Sequence, residues 1–152
     1  MKIIGVALVL LGAVLFGARW LRPVLQSGSV ATESPMATPI ATPLADDVVV
    51  IDEPLPLASI SSPLRVAGKA RGTWFFEGSF PVILTDWDGR IIATVPAQAQ
   101  SEWMTTDWVP FEAILTFEKP SYGARGSLIL KKDNPSGLPE HDDAREMTIF
   151  FR

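Results

Sequence analysis

The chain has 152 residues, with 17 acidic and 13 basic side chains, one histidine and no cysteine. A net charge of −4 with dispersed basic residues argues against nucleic-acid binding. Without a thiol there is no disulfide and no lipidated cysteine, and with His141 alone there is no multi-histidine metal site in one chain.

Ile3 to Ala18 are uncharged and almost wholly apolar, bounded by Lys2 and by Arg19, Trp20 and Arg22. A spanning helix needs ~20 apolar residues, and a secretory core only about 7–15. Residues 3–21 reach the longer figure if Arg19 extends toward the headgroups and Trp20 sits in the interface. Phe16 occupies a position where signal peptidase wants a small residue, which favours an uncleaved anchor. Residues 1–22 are therefore expected to be a transmembrane anchor or signal peptide. The rest of the chain is expected outside the cytoplasm, at the cell surface or in the periplasm, and secreted if the N-terminus is cut.

Residues 23–58 shift to proline, alanine, threonine, serine and valine, with the near-repeat Ala37-Thr38-Pro39 and Ala41-Thr42-Pro43. Proline at this density removes backbone donors and blocks helix, so an extended, solvated linker is expected. Val48–Ile51 is a β-branched run within it that can add an edge strand.

From Ser59 to Arg152 the hydrophobic period is 2. Leu64 and Val66 alternate with Arg65; Phe80, Val82 and Leu84 form the next row. Asp88-Gly89 offers the two positive-φ residues of a tight hairpin turn before a strand at 90–97. Phe111, Ala113, Leu115 and Phe117 come next, then Leu128 and Leu130, then Met147, Ile149 and Phe151. This pattern predicts an all-β fold: an immunoglobulin-like antiparallel β-sandwich of about seven strands over residues 59–152.

If successive strands alternate direction, loops 72–79, 101–110 and 133–144 meet at one end, and the other end holds only tight turns. The first loop carries Arg71-Gly72-Thr73-Trp74-Phe75-Phe76-Glu77, and Ala99-Gln100-Ser101-Glu102-Trp103-Met104 echoes its beginning. The third reads Lys132-Asp133-Asn134-Pro135-Ser136-Gly137 and continues to Glu140-His141-Asp142-Asp143. Candidate ligand-binding residues are Arg71, Trp74, Phe75, Glu77, Gln98, Gln100, Trp103, Asp133 and Asn134. Each has a structural alternative. Trp74, Phe75, Phe76 and Trp103 can close the end of a disulfide-free core, and Gln98 and Gln100 can bond to a sheet edge.

Asp133, Asn134, Glu140, Asp142 and Asp143 are oxygen donors suited to Ca²⁺, but their spacing matches no EF-hand and equally suits a turn. No metal site, cofactor or catalytic residue is assigned. Glu77 and Glu102 are the only pair that a carboxylate-based hydrolase could use, and one small sandwich offers them no cleft.

The run Ala70–Pro81 with Trp-Phe-Phe-Glu, then Gln98-Ala99-Gln100 with Trp103-Met104, and above all Lys132–Gly137, resemble the immunoglobulin-like domain of bacterial spore-germination proteins, the second Gmad type. The resemblance covers residues 59–152. It implies a sandwich on a secreted or surface-anchored bacterial protein, without a catalytic residue or a ligand. A role in germination does not follow from it. The expected function is a non-enzymatic, membrane-tethered module that binds a cell-envelope protein or glycan, with no small-molecule substrate. A structural spacer of the envelope is the alternative.

Overall fold

The computed structural model describes residues 42–152. The expected anchor and the linker as far as residue 41 lie outside the described residues. Nine strands form one sheet: β1 (Leu44–Ala45), β2 (Val49–Glu53), β3 (Ser59–Ile60), β4 (Leu64–Arg71), β5 (Ser79–Asp86), β6 (Ile91–Ala99), β7 (Trp108–Leu115), β8 (Arg125–Lys131) and β9 (Ala144–Phe151). Their order is β1-β2-β4-β7-β6-β5-β8-β9-β3, and every pair is antiparallel except β3 with β9. The only helical turns among the described residues are single 3₁₀ turns at Gly72–Trp74 and Pro139–His141.

The sheet curls over on itself. Phe80 on β5 and Phe111 on β7 meet edge to face at 4.9 Å between ring centres, although β6 separates their strands in the order. Farther round, the Arg145 side chain at the start of β9 bonds to Asp46, which precedes β2. The all-β, immunoglobulin-like reading therefore holds, with one curled sheet in place of a sandwich of two: residues 59–152 carry seven strands, β3 to β9, and two more precede them. The rows expected to point inward do so: Val66, Phe80, Val82, Leu84, Leu115, Leu128, Leu130 and Ile149 are fully enclosed. Burying side chains of this size contributes roughly 1.5–3 kcal/mol each, and no covalent staple shares the task.

Two extra strands come from the stretch expected to be linker. Val49 and Ile51 are buried, and β2 pairs with β4 from Val49↔Ala70 to Glu53↔Ala67. The β-branched run thus lies inside the sheet, with β1 as the edge, because its alternate side chains fill the core beside Phe111. Proline density upstream did not stop it, since no proline falls between Leu44 and Glu53.

Turn chemistry also differs from expectation at one place. Asp86-Trp87-Asp88-Gly89 closes with a bond from Gly89 N–H to Asp86 O, and of the two central candidates only Gly89 has positive φ, +80°. The Asp86 carboxylate accepts the N–H groups of Asp88 and Arg90, so a side-chain cap replaces a second left-handed residue. The positive-φ pair occurs instead at Glu77 (+50°) and Gly78 (+75°), between the reciprocal bonds that Phe76 and Ser79 exchange.

The β6–β7 junction is short. Gln98↔Glu112 and Ala99↔Phe111 are its only paired residues. Gln100 N–H donates to Pro110 O while Ala99 N–H donates to Gly78 O, so even-numbered residues of β6 face β7. Continuing the register would set Pro96 opposite Ile114, and Pro96 has no N–H to give. The two strands part at that residue.

Candidate functional site

The three long loops meet at one end. Gly72 N–H donates to Asp107 O at 3.0 Å, joining the first loop to the second. Asp133 N–H donates to Trp74 O at 3.1 Å, joining the third to the first. A side chain at Gly72 would run into the carbonyl oxygens of Trp103 and Thr105. That close approach is what requires glycine there.

At this rim the candidate residues divide into two sets. Trp74 (2% exposed) and Phe75 (5%) are core: both rings pack on Phe80, at 6.4 and 5.1 Å between centres. The Trp74 indole N–H is buried without an acceptor, and the Arg145 guanidinium lies 5.3 Å from its ring centre. Arg71 is tied down as well, donating to Asp47 O and lying 4.3 Å from the centre of the Trp108 ring. Asn134 spends its amide on Leu138 O and the Asp142 carboxylate, and its oxygen accepts from Ser136. Gln100 donates its amide back to Gln98 O, and Gln98 itself stands in the ladder opposite Ser79 and Glu112.

The remainder faces solvent. Glu77 is exposed at the tip of its turn, and Asp133 is half-buried. Trp103 is half-buried against Gly78, while Met104 (74%), Leu138 and Phe76 are largely exposed. Two shallow grooves separate them. One, of about 370 Å³, runs between Thr73, Phe75, Trp103, Met104 and Thr105. The other, of about 260 Å³, lies between Phe75, Phe76, Asp133, Asn134 and His141. Glu102 accepts the N–H of Met104. Among the described residues no group of three or more histidine or acidic side chains gathers as a cation site.

An Arg145 network braces the rim from below. Its guanidinium bonds to both Asp46 and Asp143. Burial pushes the Asp46 carboxyl up, but the N–H of Val49, the guanidinium and the N–H of Val48 outweigh that and hold it below its usual value of 3.8. For Arg145, burial lowers the affinity for the proton, and its two carboxylate partners more than restore it.

Comparison of the chain with known families matches residues 48–137 to the immunoglobulin-like domain of bacterial spore germination, Gmad2. The chain belongs to this family. The matched region of the Gmad2 domain begins at β2, in accord with the burial of Val49, and ends in the third rim loop before β9. No curated protein and no solved structure matches the chain.

A hollow larger than either rim groove of the Gmad2 domain lies elsewhere. Where β6 and β7 part, a cleft of about 690 Å³ opens, walled by Ile91 and Ile92 on one side and Thr116, Phe117 and the connection to Tyr122 on the other. That end was expected to hold only tight turns, and residues 116–124 are instead a long connection. Tyr122 is fastened by its hydroxyl, which donates to the buried Asp86 carboxylate at 3.0 Å. Burial raises the Asp86 carboxyl, but bonds from Arg90 N–H, Tyr122 OH and Asp88 N–H overcome it and the net direction is down. The sequence held one sign of this cleft, Pro96 next to the end of the strand expected at 90–97.

Proposed function

We propose that the chain is a non-catalytic, membrane-tethered Gmad2 module of the cell envelope that docks a protein partner through its rim. One observation carries this reading: three loops are bonded together over a closed core, and they leave Phe76, Met104, Leu138 and part of Trp103 on the outside. Exposed apolar groups clustered on a braced platform are what protein interfaces use as anchors. A glycan site would favour flat exposed rings. Here Trp74 and Phe75 are packed inward, and flexible Met104 stands outermost.

The tether and the location rest on the apolar run at residues 3–18 and the proline-rich stretch after it. The absence of chemistry is supported by the family and by the openness of both rim grooves, neither of which encloses a substrate.

The test is a photo-crosslinking residue at position 104 of the full chain in cells. A discrete protein adduct is expected, and it should vanish when Phe76→Ser and Trp103→Ala are combined in a protein that still melts cooperatively. Absence of an adduct, or co-sedimentation of the chain with purified peptidoglycan that needs the same side chains, would overturn a protein partner at this rim.

A further inference from the structure

The open seam between β6 and β7 has a use of its own, independent of the rim. Ladder pairing ends at Gln98↔Glu112, and beyond it the outward-facing backbone of Thr94 on β6, of Ile114 on β7 and of Thr116 just past its end has no strand opposite. Their other neighbours are settled: β6 pairs with β5 from Ile91 to Gln98, and β7 pairs with β4 from Trp108 to Leu115. The gap is thus an interruption inside the strand order, where the sheet's true edges are the two-residue strands β1 and β3.

Proteins usually guard a free strand edge with charge, above all lysine. Here Ile91 to Gln100 carries no charge at all, and Ile91 is 61% exposed. Only Pro96 limits pairing, and it removes one donor while leaving Thr94 free. The facing wall adds Thr116 and Phe117. The cleft's charged lining is Asp86, buried with its carboxylate taken up by Tyr122 OH and two backbone N–H groups, and Arg90, Glu118 and Lys119, of which neither cation makes an ion pair among the described residues.

We infer that this seam accepts an extended strand from a partner protein, which continues the ladder interrupted at Pro96. Thr94 on one wall and the alternate residues Ile114 and Thr116 on the other have no strand opposite and call for one. Ile91, Ile92 and Phe117 call for β-branched or apolar side chains on it, and Arg90 and Lys119 for a carboxylate where it enters. Main-chain bonds would give the affinity and these side chains the selectivity, as in other strand-addition complexes.

The experiment uses the full chain in detergent micelles and a synthetic peptide of alternating threonine and valine with an aspartate at one end. Amide exchange is followed by NMR. In the free protein the N–H groups of Thr94, Ile114 and Thr116 are expected to exchange as open amides, and saturating peptide should slow them by about tenfold or more. Pro96→Val restores the missing donor, so β6 should zip onto β7. That variant should melt higher, protect Ile114 without peptide, and lose the peptide effect. Ile91→Lys, at an exposed position that cannot disturb the core, should weaken the peptide effect severalfold while leaving the melting curve unchanged.

Protection of the three amides before peptide is added would overturn the inference, because the seam would already be closed. Failure of the peptide to slow them, or equal slowing in Ile91→Lys, would overturn it as well. Neither outcome touches the rim, whose crosslink at position 104 reports on the opposite end of the domain.

Discussion

Loops 72–79 and 101–107 leave their strands with similar sequences and touch each other through Gly72, yet their tryptophans take opposite roles. In the first, Trp74 and Phe75 turn inward and lie against Phe80. In the second, Trp103 covers Gly78 from outside and Met104 projects into solvent. The cause lies in how each chain turns once it leaves its strand. Both exits are paired on two sides, β4 by β2 and β7 and the last residues of β6 by β5 and β7. β4 passes directly into the 3₁₀ turn Gly72–Trp74, and Asp133 N–H holds Trp74 O over the core. The chain beyond β6 has no helical turn, and its carbonyls at Trp103 and Thr105 close against Gly72. Similar residue types at similar positions thus acquire structural or surface roles from the turn that follows the strand.

The sharpest way to break that contrast is Trp74→Ala. Loss of a fully buried ring should cost about 3–5 kcal/mol of stability, read by urea or guanidinium unfolding. Trp74→Phe should cost far less, because it also deletes the indole N–H that has no acceptor. If Trp74→Ala melts like the wild type, the inward role assigned to the first loop is wrong. Gly72→Ala comes next. Its methyl group would press on the carbonyls of Trp103 and Thr105, forcing the two loops apart at about 1–3 kcal/mol.

Trp103→Ala tests the other side of the comparison. A half-buried ring should cost roughly 1–2 kcal/mol, less than half the value at position 74, with no change in cooperativity. Equal costs at the two positions would erase the distinction.

Asp46→Asn probes the brace beneath both loops. The folded carboxyl titrates below 3.8, so its contribution is complete above the unfolded value and is lost as pH falls through the lower folded one. Wild type should therefore lose stability on acidification below about pH 4, and Asp46→Asn should lose less there. Near neutral pH the substitution should cost about 1 kcal/mol or less, since the pair with Arg145 is partly open to solvent. A steeper acid loss in the variant than in the wild type would contradict the assignment.

How far these features were legible depends on whether one residue's chemistry decided them. The inward rows 80–84, 111–115 and 128–130 follow from period 2, because one face of each strand is buried and the other wet. The common rim follows from strand parity. Val49 and Ile51 were readable only as a β-branched run, since their burial requires β4 beside them, and β4 is distant in sequence. Which tryptophan packs inward was not legible, because the sequence around Trp74 and Trp103 is alike and the difference lies in the distant third loop, whose Asp133 N–H holds Trp74 O. The cleft was written in Pro96, but its effect needs the register that puts Ile114 opposite.

Met104→Ser is the smallest change in stability and the most telling for the rim. Met104 is the most exposed large apolar residue of the described chain, and a surface substitution of this kind should stay within about 0.5 kcal/mol of wild type. Retention of the full chain by its envelope partner should nonetheless fall by about tenfold if Met104 is an anchor of the interface, equivalent to about 1.4 kcal/mol of binding. Thermal melting and a pull-down titration on the same preparation separate the two quantities. Unchanged melting with unchanged capture would remove Met104 from the interface and shift the docking surface toward Phe76 and Leu138. Lost melting with lost capture would mean that the outer loop carries core weight, and the contrast between the two tryptophan loops would fail.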